Sequence, residues 1–473
     1  MAKDQFTFQV KALDGTNTTA DENAKRIGIT NGTSAEYKNI ADEDNDGTVV
    51  MKTQDDHAIV FTSGDIGKTF KYQFSEKGAN GEFGAGGEKA GYTYDDIVYT
   101  VELKVTDDLD GTLTLHTKVT GKDGSVISEE TSNETDKKEI VLAFNNSYAA
   151  TGALEGNIAL EVTKNLTGRK WIESDSFSFK LEATGETAQA VVAGIVTLPG
   201  NADELVINGA DENKKASFGS IGFTKPGTYT FKVTEVVPEK AKDNVLNGIT
   251  YDSSVKNIIV NVTDNNDGTL IAVVAEESDA LTFTNTYGAG TGDKDIAAQI
   301  EANKILHGRK MSAKEFDFEV VTRVAKDTGV FKEEVVAKGT NAAAEEDAEG
   351  KVTFAGAREK ESRPLTYTTE SLNQAVTDGY AVKDVVDGKS VWTMNYTARE
   401  LTEDLPTGVK ADKTSFDFTI VVTDDKGGTL KVAVQYPENG IVFENSYATG
   451  GTEVDTDPIE TNAYFNKGLT GRN

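Results

Sequence analysis

Apolar and polar residues alternate with a period of two along most of this chain, the pattern of strands that bury one face and wet the other. Val101/Leu103/Val105, Ile258/Val260/Val262 and Phe416/Phe418/Ile420/Val422 are three such runs. Each is followed by a Thr-Asp turn that closes on Asp110-Gly111, Asp267-Gly268 or Gly427-Gly428, a strong hairpin signal between alternating segments. Upstream of each run stands a Phe-x-Phe strand: Phe6/Phe8, Phe177/Phe179 and Phe316/Phe318. Downstream each ends in Phe-x-Asn-x-Tyr, at 144–148, 283–287 and 443–447. The same order of landmarks therefore occurs three times, the signature of a repeat array. Helical periodicity is scarce. The one helix expected is Thr369–Val376, where Leu372, Ala375 and Val376 share a face, in a stretch with no counterpart in the second unit.

Many short strands at even spacing predict an all-β fold of tandem immunoglobulin-like β-sandwich domains in an elongated rod. A length of 473 residues fits about three domains. Gly/Thr/Asp-rich linkers around 149–156, 288–295 and 448–458 divide the chain. The expected domains are 1–152, 153–291 and 292–450, the third with the small helical insertion, followed by a linker and one more strand over 451–473. After each linker comes Lys-x-Leu-x-Gly-Arg, at 164–169, 304–309 and 467–472.

Composition removes several classes of function. The net charge of −30 is spread along the chain, which would repel nucleic acid. No apolar run approaches the roughly 20 residues that cross a bilayer, so no membrane insertion is expected, and the N-terminus has no signal-peptide core. Leu405-Pro406-Thr407-Gly408 reads as a turn. With no cysteine, and with His57, His116 and His307 far apart, neither disulfides, thiolate metal sites nor a Cys/His or Ser/His/Asp catalytic set is available. No cofactor and no metal ligands are expected.

Strand alternation points three kinds of polar residue inward. Lys164 shares a face with Val162 and Leu166, Lys304 with Ala302 and Leu306, and Lys467 with Phe465 and Leu469. By the same test Glu76, Glu235 and Glu400 lie on apolar faces, and Asn146, Asn285 and Asn445 lie between the Phe and Tyr of their motifs. Lys and Glu are almost never buried unless paired. On the residues alone two readings stay open. One is a buried ion pair with an amide hydrogen bond. The other is covalent: a dry core strips the lysine of its proton, the glutamate polarises the Asn carbonyl and shuttles protons, and an amide forms as ammonia leaves.

The order Lys-x-Leu-x-Gly-Arg, Phe-x-Phe, Tyr-x-Phe-x-Val-x-Glu, Gly-Ile-x-Tyr-Asp, Phe-x-Asn-x-Tyr resembles the isopeptide-linker domains of Gram-positive pilins, the FctA-type modules of streptococcal pilins and related surface proteins. The second unit carries all of it, in Lys164, Phe177, Tyr229 to Glu235, Gly248 to Asp252 and Asn285. The resemblance implies a spontaneous Lys164–Asn285 bond with Glu235 as catalyst. In the third unit it implies Lys304 and Asn445 with Glu400, although Ala398-Arg399 departs from the usual pattern and Glu370 is a rival. It further implies an extracellular protein of a bacterial cell surface or cell wall, structural in role, whose only catalysis is a single autocatalytic turnover.

The first unit has Glu76 and Asn146 but no lysine strand before Phe6, since Lys3 and Lys11 are out of phase. The chain closes on a lysine strand with no unit after it. Lys304 precedes Phe316 by 12 residues; Lys467 lies six residues before Asn473 and Phe6 is the sixth residue, so joining the ends reproduces that spacing. The expectation is head-to-tail assembly of copies of this chain, in which the last strand of one completes the first unit of the next and Lys467 bonds Asn146 with Glu76 assisting. One period of a longer identical array fits the same phase. The alternative function is the stalk of a cell-wall-anchored adhesin with intramolecular bonds only and a calcium or glycan role, any host or cell-surface receptor being met by regions outside this chain. Asp42-x-Asp44-x-Asp46-Gly47 opens like a calcium loop but has Thr53 where Glu is needed, so it reads as a solvated turn, as do Asp107–Gly111 and Asp264–Gly268. Trp171 and Trp392 are too few for glycan platforms, and Trp392 alternates with Met394 and Tyr396 as core.

Overall fold

The chain folds into three β-rich modules in series. The computed structural model describes residues 3–39, 59–133, 139–155, 160–292, 294–327, 330–356, 365–411 and 415–449. Lys467 and its strand, and the Asp42–Gly47 segment, lie outside the described residues. Among those described, no helix is long and apolar enough to cross a membrane.

The second module shows the plan most plainly. One five-stranded sheet runs in the order Lys215–Ser217, Glu161–Thr167, Thr282–Tyr287, Ile249–Thr250, Val245–Leu246. The other runs Leu205–Asn208, Ser176–Ala183, Gly227–Glu235, Val255–Asp264, Leu270–Val274. The lysine strand and the last strand lie side by side and parallel, with Lys164 opposite Phe283 and Leu166 opposite Asn285. First and last strands of the module are thus direct neighbours. Phe177, Phe179, Phe231, Val233 and Phe283 fill the space between the sheets, as their alternation requires.

The third module keeps this pairing, with Lys304 opposite Phe443 and Leu306 opposite Asn445. Its two layers, however, are joined into one ten-stranded sheet. Val330–Asn341 pairs with Asp317–Asp327 on one side and Gly350–Gly356 on the other, and breaks of register at Val320/Val321 and Ala325/Asp327 mark where the long hairpin bends. Trp392, Met394 and Tyr396 are core.

The first module has a six-stranded sheet and a small three-stranded one, Gly87–Lys89, Tyr92–Tyr94 and Ser147–Tyr148. Ser147–Tyr148 is the edge. Among the described residues no strand pairs along its far side, where the lysine strand sits in the other two modules. The segment before it, which contains Phe144 and Asn146, forms no strand, whereas its counterparts are strands of six residues.

Helix is less scarce than alternation implied. Thr369–Thr377 forms as expected, but Val376 is exposed and Thr369 joins Leu372 and Ala375 on the buried face. Among the described residues two further α-helices, Ala20–Arg26 and Gly185–Val192, follow the Phe-x-Phe strands of the first and second modules. The former has a capping box, Thr19 with Glu22, and buries only Asn23 and Ala24, too little apolar surface to register as periodicity.

Candidate functional site: a shared carboxyl between lysine and asparagine

In the second module strand alternation puts Lys164 and Asn285 on one sheet and Glu235 at the end of a strand of the opposite sheet. The three side chains meet in the core. Lys164 is 1% exposed and Asn285 0%. Nζ of Lys164 donates to Oε2 of Glu235 at 2.7 Å, and Nδ2 of Asn285 donates to Oε1 of the same carboxyl, also at 2.7 Å. One carboxyl group therefore touches both the amine and the amide nitrogen. The walls are the Phe-x-Phe pair: Nζ stands 5.0 Å from the Phe177 ring centre and 5.9 Å from that of Phe179. Phe179 in turn packs on Phe283.

The Asn285 carbonyl faces elsewhere. Its Oδ1 accepts the backbone N–H of Asp252 at 2.7 Å, which also fixes which way the amide points, because an N–H donor must meet the oxygen. The Asp252 carboxylate holds that loop by accepting Ser254 N–H at 2.9 Å and Thr284 N–H at 2.8 Å. Sequence reasoning assigned this aspartate no role. The signal was present in the Gly-Ile-x-Tyr-Asp motif, but a backbone donor leaves no side-chain type to recognise.

The third module repeats the arrangement. Lys304 Nζ donates to Glu400 Oε2 at 3.3 Å and Asn445 Nδ2 to Glu400 Oε1 at 2.8 Å, with Phe316 4.8 Å from Nζ. Glu370 is exposed in the first turn of helix Thr369–Thr377, and it is Glu400 that meets the lysine and asparagine. Asp412, which corresponds to Asp252, lies outside the described residues.

In the first module Asn146 Nδ2 donates to Glu76 Oε1 at 2.7 Å and Asn146 Oδ1 accepts Asp95 N–H at 2.8 Å. Asp95 holds its loop through Ile97 N–H and Asn145 N–H, as Asp252 does. The second glutamate oxygen differs. Glu76 is 0% exposed, yet its Oε2 has no hydrogen-bond partner among the described residues. This is the oxygen that takes the lysine in the other modules. Asn146 is only half-buried.

Burial drives the ionisable groups toward their neutral forms. Desolvation pushes Lys164 down, and pushes Lys304 down to about 8, in each case against the pull of its carboxylate. It pushes Glu235 and Glu400 up, again against the neighbouring lysine. Glu76, which has no lysine beside it among the described residues, is pushed up to about 7. In the second and third modules burial thus works against the charged form of both the amine and the carboxyl.

Serial all-β modules, two of which seal one carboxyl between a lysine and an asparagine on neighbouring first and last strands, define a tandem array built around a buried lysine–carboxyl–asparagine triad. The chain belongs to the FctA family, described as the Spy0128-like isopeptide containing domain, whose model matches residues 1–149, 160–288 and 300–448. Among solved structures it is similar to the major pilin from Streptococcus pyogenes, at 15% identity and a TM-score of 0.19, over 64% of this chain and 99% of that one. It is likewise similar to the major pilin protein T3.2 from Streptococcus pyogenes, at 14% identity and a TM-score of 0.18, over 63% of this chain and 100% of that one. A search of curated proteins finds no match.

Proposed function

We propose that this chain is a structural segment of a bacterial surface fibre of the pilus-shaft kind, stabilised by Lys164–Asn285 and Lys304–Asn445 amide bonds that form without another enzyme. The supporting observation is the bridging carboxyl, found twice with the same atoms. The neutral Lys164 amine attacks Cγ of Asn285, and Glu235 receives the amine's proton at Oε2. The backbone N–H of Asp252 supports the negative charge that develops on Oδ1, as a preorganised donor does in acyl transfer. Glu235 delivers a proton to Nδ2 from Oε1, the C–N bond breaks and ammonia departs. One amine and one primary amide become one secondary amide plus ammonia, and the carboxyl returns to its starting state. Polarisation thus falls to the backbone, and the glutamate's part is proton transfer between nucleophile and leaving group.

Lys164 and Asn285 lie 121 residues apart. By analogy with disulfide loop entropy, a crosslink closing that loop stabilises by roughly 5 kcal/mol. Its mechanical effect is larger. The bond joins the strands through which tension enters and leaves the module, so force passes across it without extending the sandwich.

The first module supports assembly between copies. Glu76 and Asn146 stand in the reactive arrangement with one carboxyl oxygen unpartnered among the described residues and a strand edge beside them. The lysine strand 467–472 has the sequence and phase to complete that edge in a neighbouring chain, with Lys467 bonding Asn146 and Glu76 moving the protons. On a denaturing, reducing gel, purified chains then form a ladder of multimers that Lys467→Ala and Asn146→Ala each abolish. A ladder that survives either substitution, or no ladder at all, contradicts covalent assembly.

A further inference from the structure

The two contacts between consecutive modules are built alike. At the first, the Tyr148 hydroxyl donates to Oδ1 of Asp264 at 2.7 Å and accepts Gly268 N–H at 3.3 Å. At the second, Tyr287 donates to Oδ1 of Asp424 at 2.7 Å and accepts Gly428 N–H at 3.2 Å. Each tyrosine closes the Phe-x-Asn-x-Tyr motif of one module, and each Asp–Gly pair brackets the hairpin turn of the next. A second glycine pair lies beside it. A Cβ added at Gly91 would stand 2.7 Å from the Gly268 Cα, and one added at Gly248 2.7 Å from the Gly428 Cα. Only glycine on both sides permits that approach. The acidic turns are therefore sockets at module joints, which the solvated-turn reading of Asp264–Gly268 missed.

The chain carries one further copy of each half. Tyr447 and Gly408 in the third module correspond to Tyr287 and Gly248. Gly408 has φ +85° against +78° at Gly248. Ala448 N–H donates to Gly408 carbonyl oxygen at 3.1 Å, as Gly288 N–H does to that of Gly248 at 2.8 Å. Arg309 covers the Tyr447 ring at 4.7 Å, as Arg169 covers Tyr287. In the first module Asp107 and Gly111 correspond to Asp264 and Gly268. Asp107 Oδ1 accepts the N–H two residues on, from Leu109, as Asp264 accepts that of Asn266 and Asp424 that of Lys426. Gly111 has φ +94°, and a Cβ there would meet nothing within 4 Å. Leu109 at the tip of this turn is 90% exposed.

We infer that the plug formed by Tyr447 and Gly408 docks on the Asp107–Gly111 socket of a second copy of this chain, repeating both internal joints at the seam between copies. This deepens the reading of end-to-end assembly but concerns a different surface from the strand groove. The linker lengths are compatible: Tyr148 to Lys164 spans 16 residues, Tyr287 to Lys304 17 and Tyr447 to Lys467 20. One chain end can therefore seat its tyrosine on the turn and its lysine strand in the groove of the same neighbour. The joint orients the strand before any bond forms.

The test uses the full chain carrying Lys467→Ala, so that association between copies is non-covalent, followed by sedimentation velocity across a concentration series. Gly111→Asn and Gly408→Asn each place a side chain in the seam while keeping a residue that tolerates positive φ. Each is expected to weaken association at least about tenfold, the loss of roughly one good contact. Each variant retains one sound half, so an equimolar mixture should recover dimers and stop there. A Lys467→Ala chain that stays monomeric, association indifferent to both substitutions, or a mixture no better than its components would overturn the joint. The covalent ladder of the parent chain reports separately: a ladder with an indifferent seam sinks the joint alone, and a sensitive seam without a ladder sinks strand donation alone.

Discussion

A lysine ammonium in an apolar core is costly unless a partner offsets its desolvation. In the second module that partner is Glu235, and on the proposed mechanism the same carboxyl takes the proton from Lys164. Glu235→Ala removes both functions. The module should then keep its ammonia, seen as full mass for the peptide pair that spans Lys164 and Asn285. It should also lose stability by about 3–5 kcal/mol from the uncompensated lysine, in addition to the missing crosslink. Thermal unfolding measured beside the mass would separate a module that is merely unlinked from one that fails to fold. At this scale the sequence was informative because alternation is strict: Lys164, Glu235 and Asn285 each sit in phase with apolar neighbours. It was silent on the Asp252 N–H, since every non-proline residue carries that donor.

Single strands decide how the modules differ. The second and third modules pair their first and last strands in parallel, and in both the asparagine is fully buried. With no such pairing among the described residues, the first module holds Asn146 half-buried and its final strand to two residues. The cost falls on Glu76. Burial lifts it from an ordinary value near 4.5 to about 7, so the folded module keeps a proton that the unfolded chain has already released. Stability from this group is full below pH 4.5 and is lost as pH rises through 7, to the extent of about 3 kcal/mol. Urea unfolding of the first module in the Lys467→Ala chain should therefore show stability falling between these pH values. Glu76→Gln should flatten the profile. A profile that rises with pH would mean that Glu76 is held as a carboxylate by a cation. Element types were readable where the period was long. Short helices escaped: Gly185–Val192 buries only Thr187, so no apolar face announces it.

Across the whole molecule, landmarks spaced by module length make the threefold repeat legible in the sequence, and the family model likewise matches three times. The joints were not legible. Tyr148 with Asp264 and Tyr287 with Asp424 are separated by 116 and 137 residues, and nothing local distinguishes a docked turn from a solvated one. Nor was the single continuous sheet of the third module, which depends on bends in its long hairpin. On the proposed reading, load passes from first strand to last strand in the second and third modules, and at each internal joint from the tyrosine on to the next turn. Covalent bonding in the two complete modules is the centre of this picture, and intact mass under denaturing, reducing conditions tests it most directly. The Lys467→Ala monomer should be lighter than its sequence by two ammonias, one for Lys164–Asn285 and one for Lys304–Asn445. A monomer at full sequence mass would contradict it and leave two buried ion pairs in place of two bonds.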